Sequence, residues 1–134
     1  MIKDEPRIRQ IDVSVSSFDR YTPSENCSLD LIRDPKQYLP VIRGRLEEAD
    51  SRGIQFDLCL YNAGMDPFEH CAVGGMAGIT QEILAERERL IFEWCRQRSL
   101  PIAFVVAGGY VGDQLDKADL VDLRRLTLLS AAQV

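Results

Sequence analysis

Two short apolar runs, residues 56–61 and 102–107, each break off in glycine, and a long amphipathic helical pattern lies between them. The first run, Phe56-Asp57-Leu58-Cys59-Leu60-Tyr61, ends at Asn62-Ala63-Gly64. The second, Ile102-Ala103-Phe104-Val105-Val106-Ala107, ends at Gly108-Gly109-Tyr110. Runs this short and this apolar suit strands covered on both faces by helices. Between them Thr80 is a natural N-cap, and Ile83, Leu84, Leu90, Ile91 and Trp94 recur at helical spacing. Glu82, Glu86, Glu88 and Arg89 are assigned to the water side of that helix. Pro101 stops the pattern. Strand, helix and strand in this order predict a parallel pair joined by a right-handed crossover.

The same alternation extends outward. Residues 8–15 alternate apolar and polar, with Ile8, Ile11, Val13 and Val15 against Arg9, Gln10, Asp12 and Ser14. A polar loop with Thr22-Pro23-Ser24 follows, and residues 27–32 read as a short strand with Leu29 and Leu31 on one face. Asp34 and Pro35 suit the N-cap and first position of a helix, although Pro40 blurs its start. Tyr38, Leu39, Ile42 and Leu46 form its apolar stripe, and Gly53 ends it. A last helix begins at Asp116 or Asp119, with Leu120, Leu123, Leu126 and Leu129 repeating every three residues. The predicted class is α/β, a three-layer α/β/α arrangement around a mostly parallel sheet of three to four strands.

With 134 residues, 46% of them hydrophobic and 28% charged, the chain reads as a single domain over residues 1–134. At this size roughly two-thirds of the unfolded surface can be buried, enough for a core without staples. The net charge of −5 comes from 16 basic and 21 acidic residues. The basic residues do not cluster, so neither a nucleic-acid nor a membrane partner is expected. No apolar stretch is long enough to span a bilayer. Residues 1–6 lack the apolar core of a secretory signal, which points to the cytoplasm. Cys27, Cys59, Cys71 and Cys95 make no Cys-x-x-Cys pair, and Cys59 and Cys95 read as small buried hydrophobes.

Ligands of open parallel sheets bind beyond the carboxyl ends of the strands. If the two apolar strands are neighbours, Asp66 and Tyr110 project into one crevice. Asp66 is then available as a carboxylate metal ligand. Tyr110, after two glycines, is able to offer its hydroxyl to a developing oxyanion. From the residues alone, a turn at Asp66-Pro67 and an anchoring aromatic at Tyr110 compete with these readings. His70 is the only histidine. It reads as an exposed loop residue, or as part of a local cluster with Asp66 and Cys71 whose spacing matches no common zinc pattern. Gly74-Gly75-Met76-Ala77-Gly78 lacks the Lys-Ser or Lys-Thr of a phosphate loop, and no Gly-x-Ser-x-Gly elbow occurs.

The run from Asp57 through Asp66-Pro67, with Gly74-Gly75 and Gly78-Ile79-Thr80, resembles the carboxyl-terminal part of the histone deacetylase superfamily. Arg87-Glu88-Arg89-Leu90-Ile91-Phe92 and the run from Pro101 to Tyr110 continue the likeness, which is strongest to bacterial and class IV-like members. The resemblance implies the arginase/deacetylase fold, with an eight-stranded parallel sheet. It also implies zinc-dependent hydrolysis of acetyl-lysine, acetylated polyamines or related amides. Asp66 then matches a metal ligand, Tyr110 the tyrosine that polarises the amide carbonyl, and Gly108 and Gly109 the substrate-side glycines beside it.

The family's Asp-x-His ligands and His-His base have no counterpart here. The chain accordingly resembles a carboxyl-terminal half, with no zinc expected on it alone and no autonomous catalysis. By the same resemblance, the strand carrying Asp-x-His would lie between residues 8–15 and the strand ending near Gly64. Its absence predicts a gap inside the sheet, closed by direct re-pairing or by another chain. The strand ending at Ala107 is also left with an open edge. A homo-oligomer, most simply a two-fold dimer, or a complementary amino-terminal half is the expected partner. The expected role is a deacetylase-like carboxyl-terminal fragment that folds as an oligomeric or binding module, and the alternative is part of a zinc-dependent deacetylase whose site another chain completes.

Overall fold

The computed structural model describes residues 5–18 and 20–133. Most of the stretch read above for a secretory signal, residues 1–4, lies outside them. Strand β1 (Gln10–Ser14) pairs in parallel with β2 (Cys27–Leu31), in register from Gln10 opposite Cys27 to Ser14 opposite Leu31. Asp34 then accepts a 3.0 Å hydrogen bond from the Lys36 N–H, and Pro35–Gln37 form one 3₁₀ turn. Helix α1 (Tyr38–Ser51) follows. Its start is delayed past Pro35 because Pro40 has no N–H to return to the carbonyl four residues back, so the tighter turn serves there. Gly53, at φ +63°, ends the helix as expected.

Strand β3 (Cys59–Gly64) pairs in parallel with β4 (Ile102–Ala107), from Cys59 opposite Ile102 to Gly64 opposite Ala107. Between them lies α2 (Gln81–Gln97), whose Thr80 cap accepts from the Ile83 N–H. Helix α3 (Lys117–Ala132) opens on a capping box in which Asp116 and Asp119 satisfy each other's main-chain N–H. The leucine stripe of α3 holds for Leu120 and Leu123, which are buried, but Leu129 is exposed and Thr127 is fully buried in its place. A strict three-residue repeat falls about 60° behind the helix at every step, so by Leu129 it has crossed to the far side.

The α/β class stands, but the single sheet does not form. Among the described residues the four strands make two separate two-stranded parallel sheets, β1–β2 and β3–β4. Direct pairing of β1 with β3 does not occur. Nor are the apolar strands covered on both faces. On one side Tyr61 meets Phe92 of α2 edge-on at 6.0 Å, and Phe92 meets Phe104 at 5.2 Å. On the other, Leu60 is 77% and Val105 59% exposed. Burial therefore alternates along both strands, and the third layer of the expected arrangement is missing over this sheet.

The core lies between the helices and the loops that leave the strands. It contains Tyr38 and Ile42 of α1, Met65, Ile79, Leu84 of α2, and Leu120 and Leu123 of α3. Both sheets point the same way. Ser14, at the end of β1, accepts from the Ile32 N–H just before α1 begins. Arg87 joins Tyr38 at the head of α1 to Gly64 at the end of β3. At the opposite end, Arg9 lies 3.9 Å from Glu48, and Phe56 packs against Trp94. None of the helices among the described residues is long and apolar enough to cross a membrane.

Candidate functional site

Strand β3 hands its ladder on to Met65, whose N–H donates to the Ala107 carbonyl at 3.1 Å. Asp66 is thereby delivered beside the turn that ends β4. Its Oδ1 accepts from the Gly109 N–H at 3.1 Å. Its Oδ2 occupies space that a side chain at Gly108 would need, since a Cβ there would lie 1.9 Å away. Gly64 is almost as confined, with a virtual Cβ 2.9 Å from the same oxygen. Gly108 and Gly109 have φ of +64° and +84°, the left-handed region open to glycine. Arg124 of α3 donates to the Gly108 carbonyl at 2.7 Å and anchors the turn from behind.

Tyr110 follows directly and is half exposed. Its main-chain carbonyl accepts from the Ala72 N–H at 3.0 Å, tying it to the loop after β3. Asp66 and Tyr110 line one groove of 790 Å³ between the two sheets. Residues 9–16 form one wall, and residues 58–62 with Gly64 form the other. Its floor includes Ile42, Leu46 and Ala49 of α1 with Ile91 and Trp94 of α2.

His70 and Cys71 do not join this pair in a ligand set. His70 is exposed, with its ring against Phe68 at 5.1 Å. Cys71 is buried and donates its thiol hydrogen to the Met65 carbonyl at 3.3 Å. Burial pushes that thiol up from its ordinary value. Among the described residues no three His, Cys, Asp or Glu side chains are placed to hold a metal. A catalytic zinc needs about three protein ligands, so one carboxylate does not make that site. The described residues therefore do not fit zinc by themselves. All four cysteines are free, and Cys95 is buried in the core as a small hydrophobe would be.

Behind the site lies a charged pair, Arg87 and Glu88, of which the sequence reading assigned Glu88 to water. Glu88 is fully buried and Arg87 is 5% exposed. They are ion-paired, and Glu88 also accepts from the Tyr61 hydroxyl at 3.0 Å. Arg87 donates to the Tyr38 hydroxyl at 3.1 Å and to the Gly64 carbonyl at 2.8 Å. Burial opposes the Arg87 charge, but Tyr38, Tyr61 and Glu88 around it raise its pKa above the ordinary value. Burial likewise raises the Tyr61 phenol. Arg87 thus braces the backbone two residues before Asp66. A helical signal for this existed. Arg87 lies four residues from both Ile83 and Ile91, and Glu88 four from both Leu84 and Phe92, so both fall on apolar rows.

No family model matches the chain. An uncharacterized protein of Picosynechococcus sp. is 35% identical over 77 residues, covering 58% of this chain and 25% of that protein. Histone deacetylase 2 of Arabidopsis thaliana is 31% identical over 75 residues, covering 56% of this chain and 19% of that protein. The chain thus has a partial, distant similarity to a histone deacetylase, and matches about a quarter and a fifth of the lengths of these two relatives.

Proposed function

We propose that the groove is one side of a deacetylase-like amide-hydrolysing site, to which this chain contributes Asp66 and Tyr110 without being catalytically autonomous. The observation that carries this reading is the placing of Asp66. Its carboxylate is fastened to the Gly108-Gly109 turn at the mouth of the groove that Tyr110 also lines. The motif resemblance and the partial similarity to a plant histone deacetylase support it. Tyr110 is the group that would hydrogen-bond the carbonyl oxygen of an acetylated amine as it becomes tetrahedral. Asp66 is a single carboxylate ligand. Zinc, its other ligands and the base that activates water belong to a partner segment in this reading.

The test is complementation. The chain is mixed with the amino-terminal half of a related deacetylase carrying the Asp-x-His and His-His motifs, and complex, bound zinc and hydrolysis of an acetyl-lysine peptide are measured. The chain alone is expected to do neither. The complex is expected to hold zinc and hydrolyse the peptide. Tyr110→Phe should lower the rate roughly 100- to 1,000-fold with zinc retained, and Asp66→Ala should lose the zinc. A stable complex with neither zinc nor activity overturns the proposal. A second reading, a non-catalytic dimeric module, is favoured by the exposed Leu58, Leu60 and Val105 on the open face of β3–β4. A compact monomer in solution scattering would exclude it.

A further inference from the structure

Strand β3 and helix α2 run in opposite directions, and their contacts step along both elements in order. Arg87 reaches the Gly64 carbonyl, Glu88 takes the Tyr61 hydroxyl, and Phe92 meets Tyr61 edge-on. The next rung is a pair of cysteines. Cys59 lies two residues before Tyr61, on the same face of β3. Cys95 lies three residues after Phe92, on the same row of α2. The turn between α2 and β4 holds them level. The Leu100 N–H donates to the Cys95 carbonyl at 3.0 Å, and the Cys59 N–H donates to the Pro101 carbonyl at 2.8 Å. The two side chains meet there, the Cys95 thiol donating to the Cys59 sulfur.

The two thiols differ in the way a reactive pair needs. Cys95 is 1% exposed, whereas Cys59 is half-buried and lines the groove. Donation from Cys95 holds the Cys59 thiol below its ordinary value, with burial opposing. The same bond, together with burial, raises the Cys95 thiol. Cys59 is thus the more acidic and the more accessible sulfur, and those two properties set reactivity toward oxidants. The other cysteines lack this arrangement. Cys27 is buried on β2, in the other sheet, and Cys71 is buried with its thiol given to the Met65 carbonyl.

We infer that Cys59 and Cys95 form a peroxide-responsive thiol pair, in which Cys59 is oxidised first and Cys95 closes a disulfide onto it. The Cys59 thiolate attacks one oxygen of hydrogen peroxide and the O–O bond breaks. The other oxygen leaves as hydroxide and becomes water with the proton that Cys59 released, so that Cys59 is left as a sulfenic acid. The Cys95 sulfur then attacks the Cys59 sulfur and the S–O bond breaks. Hydroxide leaves with the Cys95 proton as a second water. One peroxide is reduced and the thiol pair is oxidised by the same two electrons. The new bond ties the beginning of β3 to the last turn of α2. It closes residues 60–94 into one loop, which carries both Asp66 and the Arg87 brace on Gly64. The inference stands on β3 and α2 alone, and so goes beyond the chemistry proposed for Asp66 and Tyr110.

The test uses the whole chain, fully reduced and then exposed to a few equivalents of hydrogen peroxide. Remaining thiols are alkylated under denaturing conditions, and the unreduced digest is read by tandem mass spectrometry. A linked pair of peptides joined through Cys59 and Cys95 is expected, released by dithiothreitol, with Cys27 and Cys71 alkylated. In Cys95→Ala the Cys59 sulfenic acid should instead be trapped by dimedone, and in Cys59→Ala neither product should form. The disulfide should raise the urea midpoint, the unfolding constant in water falling roughly 30- to 1,000-fold. Absence of the linked pair in the parent chain, a different pairing, or linkage only between chains overturns the inference. A lower urea midpoint after oxidation does so too, since the fold would then have to distort to close the bond.

Discussion

Asp66 and Gly108 fit together because Gly108 has no side chain: the carboxylate Oδ2 stands 1.9 Å from where its Cβ would be. Gly108→Ala must therefore displace the carboxylate and also hold alanine at φ +64°. The expected cost is about 1–3 kcal/mol from backbone strain alone, read from the urea midpoint. The Gly109 N–H should exchange faster once its bond to Asp66 is loosened. An alanine variant as stable as the parent would show that the turn does not hold Asp66 as described.

Gly44 is the contrasting case. It lies in the middle of α1, exposed, with open space where a Cβ would go. Gly44→Ala should stabilise the chain by about 0.5–1 kcal/mol, because it reduces the freedom of the unfolded backbone without a clash. Thermal unfolding of the variant should shift upward. A downward shift would mean that α1 has contacts on that face.

Arg87→Met tests the buried pair. The substitution keeps much of the side-chain volume but leaves Glu88 buried without its counter-charge, and frees the Gly64 carbonyl and the Tyr38 hydroxyl. The expected loss is about 3–5 kcal/mol. Glu88 already has one carboxylate oxygen, Oε2, without a hydrogen-bond partner, so the site has little slack. A loss under about 1 kcal/mol would mean that Arg87 does not brace Glu88 and the end of β3 as described.

Asp50, Trp94 and Arg98 tie the far ends of α1 and α2 together. Arg98 donates to Asp50 at 2.6 Å, stacks over the Trp94 ring at 4.5 Å, and Trp94 donates to Asp50 at 3.3 Å. Arg98 holds the Asp50 carboxyl below its ordinary 3.8, with burial opposing and Trp94 adding to the effect. The stabilisation from ionised Asp50 is complete above the unfolded value. It is lost as pH falls through the lower, folded value. Fluorescence of Trp94, the only tryptophan, should therefore change at a pH below 3.8, and the change should be absent in Asp50→Asn. A midpoint at or above 3.8 would contradict the pairing.

Local chemistry was the most legible part of the sequence. Asp34 and Thr80 cap as read, and Asp116, one of the two starts read for the last helix, caps α3, because a cap needs only a short side chain and the next three residues. Asp66 and Tyr110 reach one groove because neighbouring parallel strands put their carboxyl ends together, and the sequence already showed both strands. Glu88 was misread because its partners, Arg87 apart, come from β3, and Tyr61 is 27 residues away. The apolar run at residues 56–61 suggested cover on both faces. Yet apolarity states only what a strand can bury, and Leu60 finds nothing to bury it. The beginning of β3 at Cys59, not Phe56, follows from its partner, since β4 begins just after Pro101.

The Arg87 bond to Gly64 has a consequence for register. On the groove side of β3 the carbonyl acceptors run from Leu60 to Asn62, and the next, at Gly64, is already taken by a guanidinium. A single arginine thus closes the run of open carbonyl acceptors along this edge of β3 two residues before Asp66, and it sets apart the stretch of backbone able to pair from the stretch that positions the carboxylate.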